Sequence, residues 1–222
     1  MCGKFTTKLS WTERVDFAWP VPDCGEDRSL TLRVMDAVPL IVLDIVAQTR
    51  RVVPMRWGFP HPKDWKRPQP IHARAETIHT TQAFAEAFRD GQRGIVLVQT
   101  FNEAPGIEGP TLQHTITPDA PVGIAFVWRR FQSAESSAPM LAACMVTVAA
   151  NDLIATLPAE RMPAVLDKED WAIWLGEEPA TPQRVKACLK TQQGVRWTMA
   201  KEERAQKTRR SKPMASDPKG LF

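Results

Sequence analysis

The hydrophobic residues of this chain fall into short runs, and most of these runs have the composition of buried strands. They are rich in Val, Ile, Leu and Phe and are bounded by proline, glycine or charged residues. The pattern predicts strands at 30–35, 39–46, 51–59, 94–101, 121–128 and 141–150. Cys144 is expected to be a buried residue of the last strand. The proline-rich segment 61–70 is predicted to hold no long regular element.

Helical signals are fewer and belong to four short segments. Most of them begin with a residue that can cap or start a helix, and apolar residues follow at helical spacing. The predicted helices are 10–19 with a Ser10–Glu13 capping box, 80–91 from Thr80 or Thr81 to Gly91, a helix around Trp171 and Trp174 capped by Asp167, and 181–189 starting at Thr181-Pro182. Strands outnumber helices and do not alternate with them regularly, which predicts a single α+β domain.

The charge of the chain is unevenly distributed. The sequence has 222 residues and a net charge of +4, and residues 200–222 alone hold seven Lys or Arg and three Asp or Glu. The rest of the chain is therefore neutral. We predict a domain over residues 1–200 and a basic tail over 201–222, which is either simply solvated or adds salt-dependent affinity for nucleic acid.

Composition excludes several classes of protein. The four cysteines are far apart and form no metal-binding pair, so no metal and no cofactor are expected, and the thiols should be free in a reducing compartment. The longest apolar stretch, 37–43, is far shorter than a membrane span. No apolar core of signal-peptide length follows Met1. These features predict a cytoplasmic protein without membrane contact, expected to be monomeric.

The second residue offers the first candidate chemistry. Met1 precedes a small side chain, Cys2, and is expected to be trimmed, which leaves an α-amine and a thiol on one residue. A 1,2-aminothiol traps an aldehyde, because the amine forms an imine and the thiol then closes a thiazolidine ring. The amine titrates near ~8 and the thiol near ~8.5, so both are usable near neutral pH. Most cysteines at this position have no such role, and Cys2 alone does not decide the function.

Four further blocks contain groups that can do chemistry. They are "MRWGF" at 55–59, "IHARAET" at 71–77, Glu103 directly after a buried strand, and "ERMPAVL" at 160–166. Each has a plain structural explanation: Trp57 as a core residue, Arg74 and Glu76 as an ion pair, Glu103 as an exposed strand end. The combination is more informative than its members.

Together these blocks resemble the SRAP family, the SOS-response-associated peptidases or abasic-site processing proteins. The matching pieces are "MCGKF", "WGFPHP", "HARAET", "QTFNEA" and "AERMP", in the family's order from residue 2 to about residue 166. The resemblance implies a curved, mostly antiparallel sheet or barrel-like core flanked by short helices.

The resemblance also implies a function. Family members bind single-stranded DNA that contains an abasic site, and the processed N-terminal cysteine forms a thiazolidine crosslink with the aldehyde of the lesion. By position, Cys2 is then the nucleophile and Glu103 the acid/base carboxylate, which also assists autoproteolytic removal of Met1. The implied phosphate-binding residues are Lys4, Arg74 and Arg161, and Trp57 or Trp65 is the candidate for stacking on a base.

The sequence departs from the family pattern at four places. His72 replaces an asparagine, Ala159 stands where the H-x-R-M-P histidine belongs, and Lys4 replaces an arginine and loses its bidentate fork. The aromatics of G-F-Y-E-W are reduced to Phe101, with Asn102 and Ala104 around the glutamate. Two explanations stay open. Either His72 supplies the missing imidazole as a catalytic residue, with a histidine acting as general acid near neutral pH, or the chain is a weakened or inactive member that binds DNA without reacting.

Two further functions compete with the crosslinking enzyme. A non-enzymatic module would bind single-stranded nucleic acid through Lys4, Arg74, Arg161 and the basic tail, with no preference for abasic sites. A cysteine peptidase acting on other proteins would need a base beside its thiol, and His72 is the single candidate in the sequence.

Overall fold

The computed structural model of the chain describes residues 2–7, 30–105, 112–132 and 139–202. The predicted helix at 10–19, Cys24 and most of the basic tail lie outside the described residues. The strands are β1 (Lys4–Thr7), β2 (Leu30–Arg33), β3 (Ala37–Asp44), β4 (Thr49–Trp57), β5 (Pro60–His61), β6 (Asp64–Pro68), β7 (His72–Arg74), β8 (Arg93–Val98), β9 (Thr100–Glu103), β10 (His114–Thr117), β11 (Val122–Phe131), β12 (Met140–Ala149), β13 (Arg161–Pro163), β14 (Val165–Leu166) and β15 (Thr198–Lys201). The helices are α1 (Ala85–Arg89), α2 (Asp152–Ala155), α3 (Trp171–Leu175) and α4 (Pro182–Ala187), with a 3-10 turn at Lys168–Asp170.

Five of these strands close into a barrel. Following the hydrogen bonds from β12 leads to β4, β3, β8 and β11 and back to β12. All of these pairings are antiparallel except the one between β4 and β12. Three short strands, β7, β13 and β14, pair with β12 or β11 outside the ring. The predicted α+β class and the barrel-like, mostly antiparallel core are confirmed.

The barrel packs closely around β8, a strand that is covered on both faces. Every residue of β8 is buried, as expected for a strand covered inside by the barrel and outside by α3. At Gly94 a Cβ atom would lie 2.6 Å from Leu40 Cγ, so no larger residue fits between β8 and β3. Trp174 of α3 donates its indole N–H to the Gly94 carbonyl at 2.9 Å, which fixes the helix over this strand.

A second sheet brings the beginning of the chain to the middle of the sequence. Its strands are ordered β15-β10-β9-β1-β2 with antiparallel pairings throughout. The apolar run 94–101 was predicted as one strand, but the chain changes sheet at Gln99, so β8 belongs to the barrel and β9 to the second sheet. This break places β1 directly beside β9 and therefore residue 2 near residue 103.

Two predictions that depend on a single short segment are confirmed. Cys144 is fully buried in β12, and α4 begins after Thr181, whose hydroxyl accepts the Arg184 N–H at 3.2 Å. Helix α1 is shorter than the predicted 80–91, because residues 77–84 form turns.

The β5–β6 hairpin at 60–68 has strands of only two and five residues, which agrees with the prediction that 61–70 holds no long regular element. One other local prediction differs from the structure. Asp167 precedes the 3-10 turn, but its carboxylate pairs with Lys190 at 2.6 Å instead of capping the helix.

Candidate functional site

The candidate site is centred on Cys2, at the end of β1 that lies closest to Glu103. The Cys2 side chain is buried, with 2% of its surface exposed, and its thiol donates to the Lys4 carbonyl oxygen at 3.4 Å. Burial, and after it the nearby Glu103 carboxylate, raises the pKa of the Cys2 thiol to about 12. In this state the sulfur is a protonated thiol at neutral pH, so it is not itself the first nucleophile to react.

Glu103 ends β9 as a fully buried carboxylate. Its Oε1 accepts the Ala104 N–H at 3.1 Å, and the carboxylate also accepts the backbone N–H of Cys2. Burial raises the pKa of Glu103, because the ionised form loses solvation, and these hydrogen bonds oppose that rise. The carboxyl group is therefore held at the backbone nitrogen of Cys2, with its proton affinity increased by burial.

His72 of β7 lies on the other side of the Cys2 backbone. Its Nε2 is 2.7 Å from the Cys2 carbonyl oxygen, and its ring makes an edge contact with Trp57, with 6.5 Å between centroids. Because a carbonyl oxygen only accepts, Nε2 must carry the hydrogen. Burial lowers the pKa of His72, and Arg161 lowers it further, so the imidazole is neutral at neutral pH. This geometry favours a positioning role over the general-acid role suggested by the sequence.

At the position of the family histidine, the methyl side chain of Ala159 cannot transfer a proton. Ala159 is partly buried and packs against the hydrophobic core. Of the two positions, only residue 72 presents an imidazole near Cys2. The idea that His72 compensates for Ala159 therefore has the required location, and its role stays a prediction.

Arg161 is held by protein groups on both sides of its guanidinium. It forms a bidentate pair with Glu76 at 3.0 and 2.9 Å and also binds the Thr147 carbonyl oxygen at 2.5 Å. The predicted Arg74–Glu76 ion pair is replaced by this Arg161–Glu76 pair, while Arg74 itself is exposed on β7. Of the two predicted phosphate-binding arginines, Arg74 is the one whose side chain faces solvent.

Lys4 is paired with a residue that the sequence gave no reason to select. Its Nζ lies 2.6 and 2.8 Å from the two carboxylate oxygens of Glu202, just after β15. Glu202 also accepts from Asn102 Nδ2 at 2.8 Å and from the Thr115 hydroxyl at 3.2 Å. Glu202 lies at the start of the basic tail, beside Glu203, and nothing in the local sequence distinguishes it from its neighbours.

The two tryptophan predictions have different outcomes. Trp57 is completely buried, packs against Phe5 with 5.0 Å between ring centroids, and donates its indole N–H to the Ile71 carbonyl at 3.3 Å. A base cannot stack on a ring without exposed surface, so the stacking role predicted for Trp57 is wrong and its role is packing. Trp65 in β6 is half-buried, with one edge against Phe131, and remains the candidate for stacking.

Within the described ranges, no three His, Cys, Asp or Glu side chains gather closely enough to hold a metal ion. The three cysteines of this part, Cys2, Cys144 and Cys188, are all free and buried. None of the described helices is long and apolar enough to cross a membrane.

Comparison with known proteins identifies the family. The model of the SOS response associated peptidase (SRAP) family matches residues 1–204, and the chain belongs to this family. The resemblance found in "MCGKF", "HARAET" and "AERMP" is thereby confirmed. No curated protein matches the sequence.

Solved structures share the fold at low sequence identity. A Bordetella bronchiseptica protein is 21% identical, with a TM-score of 0.74 over 91% of this chain and 100% of its own. A Bacteroides thetaiotaomicron protein is 17% identical, with a TM-score of 0.76 over 91% and 93%. A phage-related protein from Bordetella bronchiseptica is 20% identical, with a TM-score of 0.63 over 90% and 94%. These likenesses concern the fold alone.

Proposed function

We propose that this chain senses abasic sites in single-stranded DNA and captures them as a covalent thiazolidine through processed Cys2, as part of the DNA damage response. The supporting observation is that the β1–β9 pairing brings the buried Glu103 carboxyl group to the buried Cys2, whose backbone N–H it accepts. Removal of Met1 would turn that nitrogen into the α-amine that attacks the aldehyde. Glu103 would then act as the acid/base group at the reacting nitrogen.

The order of bond formation follows from the ionisation states. The α-amine attacks the aldehyde carbon first, because the buried thiol is protonated. The resulting carbinolamine loses its hydroxyl as water, with a proton supplied by Glu103, and becomes an imine. The sulfur then adds to the imine carbon while the thiol proton passes to nitrogen, which closes the ring. One water leaves and no oxidant is needed.

The same carboxyl group is suited to autoproteolytic removal of Met1. Hydrolysis of the bond before Cys2 adds water to the Met1 carbonyl carbon and requires a proton on the departing Cys2 nitrogen. Glu103, hydrogen-bonded at that nitrogen, is positioned to deliver it. His72 at the Cys2 carbonyl oxygen would hold the residue still during both reactions.

DNA contacts are proposed for the cationic and aromatic groups around the site. Arg74 and Lys4 would hold phosphates, and Trp65 would stack on an unpaired base. Arg161 would hold Glu76 in place through their ion pair.

A denaturing gel with fluorescent single-stranded DNA carrying one abasic site tests the function. Intact mass first establishes that Met1 is absent from the sample. The parent protein is expected to give a heat-stable shifted band, and Cys2→Ala to give none. Because Cys2→Ala keeps an α-amine, borohydride should restore a band by reducing its imine. Cys144→Ala is the matched control, since Cys144 is buried in β12 and should leave the band unchanged. An equal heat-stable band from Cys2→Ala without borohydride would disprove the proposal.

A non-covalent single-stranded DNA-binding function is the second candidate, favoured by the high pKa of the thiol and the absence of an imidazole at position 159. It predicts equal affinity for intact and abasic oligonucleotides and no shifted band from the parent protein. The same gel and one binding titration separate the two functions.

A further inference from the structure

Three polar side chains form a row across one face of the second sheet. Thr115 of β10 is paired with Asn102 of β9, and the pairing of Phe5 with Phe101 puts Lys4 of β1 opposite Asn102. The neighbouring row, Phe5, Phe101 and Ile116, is fully buried on the other face. The alternation of the strands therefore separates an apolar row from a row made of an ammonium, an amide and a hydroxyl group.

The polar row is built as a receptor for an anion. Lys4, Asn102 and Thr115 all donate to Glu202, and Lys4 Nζ bridges both of its oxygens. The hydrogen bond from Lys4 is the main reason that the pKa of Glu202 is lowered, so the bound group is a carboxylate anion. Asn102 is 98% buried beneath it, since only 2% of its surface is exposed.

The anion comes from the chain itself, and its side chain can turn away without loss of backbone pairing. Glu202 directly follows β15, and its backbone N–H donates to the Gln113 carbonyl at 2.8 Å. Its side chain keeps 33% of its surface exposed, compared with 19% for Lys4. Rotation of this one side chain toward solvent would uncover the row without breaking the β10–β15 ladder.

Lys4 is already a candidate for holding a phosphate of single-stranded DNA. We propose that Asn102 and Thr115 complete this phosphate subsite, and that Glu202 occupies it as a displaceable internal ligand. A phosphodiester offers two non-bridging oxygens and one negative charge, like the carboxylate it replaces. The subsite lies beside the reactive group, because the Lys4 carbonyl accepts the Cys2 thiol and Asn102 directly precedes Glu103. DNA can then occupy the subsite only by displacing the Glu202 carboxylate. The inference rests on the proposed function for its ligand.

Charge favours this exchange once DNA is present. Residues 203–222, which follow Glu202 directly, contain six Lys or Arg and two Asp or Glu. Glu202 would therefore be released directly beside a basic segment that is itself attracted to the DNA.

Fluorescence anisotropy with a labelled oligo-dT that has no abasic site tests the subsite independently of crosslinking. Glu202→Gln removes the competing charge at constant size and is expected to tighten binding about two- to fivefold. The salt dependence should also steepen, because Lys4 becomes available to replace counterions on the DNA. Glu178→Gln, an exposed site with the same charge change, is the control and should be close to parent.

Two additional variants identify the residues responsible. In a Lys4→Gln background, Glu202→Gln should tighten binding less, because of the three donors held by Glu202 only Asn102 and Thr115 remain for the DNA. Thr115→Val should remove part of the gain seen with Glu202→Gln. The proposal would be overturned if Glu202→Gln, shown to be folded by its melting temperature, bound DNA equally or more weakly. Glu202 would then be a structural partner that links β15 to β1 through its ion pair with Lys4.

The result remains interpretable if the proposed function fails. Parallel gels use the same oligonucleotide with one abasic site. Tighter binding by Glu202→Gln without a heat-stable band from the parent would support the subsite and reject the crosslinking function. A heat-stable band from the parent with no effect of Glu202→Gln would do the reverse.

Discussion

The closed barrel and the site-bearing sheet are built from similar strands but bury different kinds of groups. The barrel strands β8, β11 and β12 enclose almost purely apolar side chains such as Ile95, Phe126 and Met145. At the β1–β9 junction of the second sheet, a thiol, a carboxylate and an amide are buried instead, at Cys2, Glu103 and Asn102. Burial stabilises the first set and raises the energy of charged groups in the second. One region stabilises the fold, and the other holds buried polar and ionisable groups at the candidate site.

The largest effect should come from emptying the barrel. Phe126→Ala removes a fully buried ring from β11 that contacts Trp57 and Phe5, and should lower the free energy of unfolding by about 3–5 kcal/mol. Phe131→Ala, at the partly exposed end of the same strand, is the matched control and should cost much less. Urea unfolding measures both. Equal losses would mean that the barrel interior is not the stabilising part.

Adding a methyl group should separate the two regions as well. Gly94→Ala puts a Cβ 2.6 Å from Leu40 Cγ and 2.9 Å from the Ile41 carbonyl oxygen, and is expected to cost about 1–3 kcal/mol. Gly3→Ala beside the site meets nothing closer than Val34 Cγ2 at 3.9 Å and should leave stability nearly unchanged. A similar melting temperature for both variants would contradict the tight β8–β3 contact.

At the site, mutations should change chemistry more than stability. His72→Ala removes the hydrogen bond to the Cys2 carbonyl oxygen and is expected to slow crosslinking about tenfold or more, with little change in DNA affinity. His72→Asn, which restores the family's residue, should recover part of the rate. Crosslinking rates and oligonucleotide affinity are measured on the same samples. If rate and affinity fall together, His72 acts in DNA binding and not in positioning Cys2.

The smallest effect on stability is expected at Glu103, and it should have the opposite sign from the effect of the barrel mutations. Burial raises the pKa of Glu103, so the folded chain binds more protons than the unfolded chain, and stability falls as pH rises from about 4.5 through the folded pKa. Glu103→Gln should therefore raise the melting temperature at neutral pH while abolishing rapid crosslinking. Asp170→Asn, which breaks a pair with Arg184, is a contrasting buried carboxylate and should lower it. A destabilised Glu103→Gln protein would show that the carboxylate is a structural anchor.

His72 adds a pH dependence that runs the other way from Glu103. Its pKa is lowered by burial, so the unfolded chain binds more protons below about pH 6.5 and stability falls as the pH decreases from there. His72→Ala should reduce this loss of stability at acidic pH. Melting temperatures measured at several pH values between weakly acidic and neutral would detect the change.

Much of the fold could be predicted because its signals are local. The apolar runs at 121–128 and 141–150 became β11 and β12, and the Thr181-Pro182 pair started α4 as expected. The run 94–101 was misjudged as one strand, because nothing in its hydrophobicity marks Gln99 as the residue where the chain changes sheet. Closure of the barrel depends on pairings between distant segments, which a local pattern does not contain.

The site was predictable in its members but not in its arrangement. Cys2, Glu103 and His72 were selected from the sequence and do converge, whereas Trp57 was assigned to a base and is enclosed by the core. An aromatic residue has the same sequence signal in either role, and burial alone distinguishes them.

The sequence by itself determined the family, the α+β class and the candidate site residues, because motif order and short-range patterns are contained in the chain. Tertiary structure alone decided the ionisation of Cys2, Glu103 and His72, since burial and neighbouring charge act through space. It also brought Glu202 to Lys4, 198 positions apart, because three intervening strand pairings align their rows. No local signal could have linked those two residues.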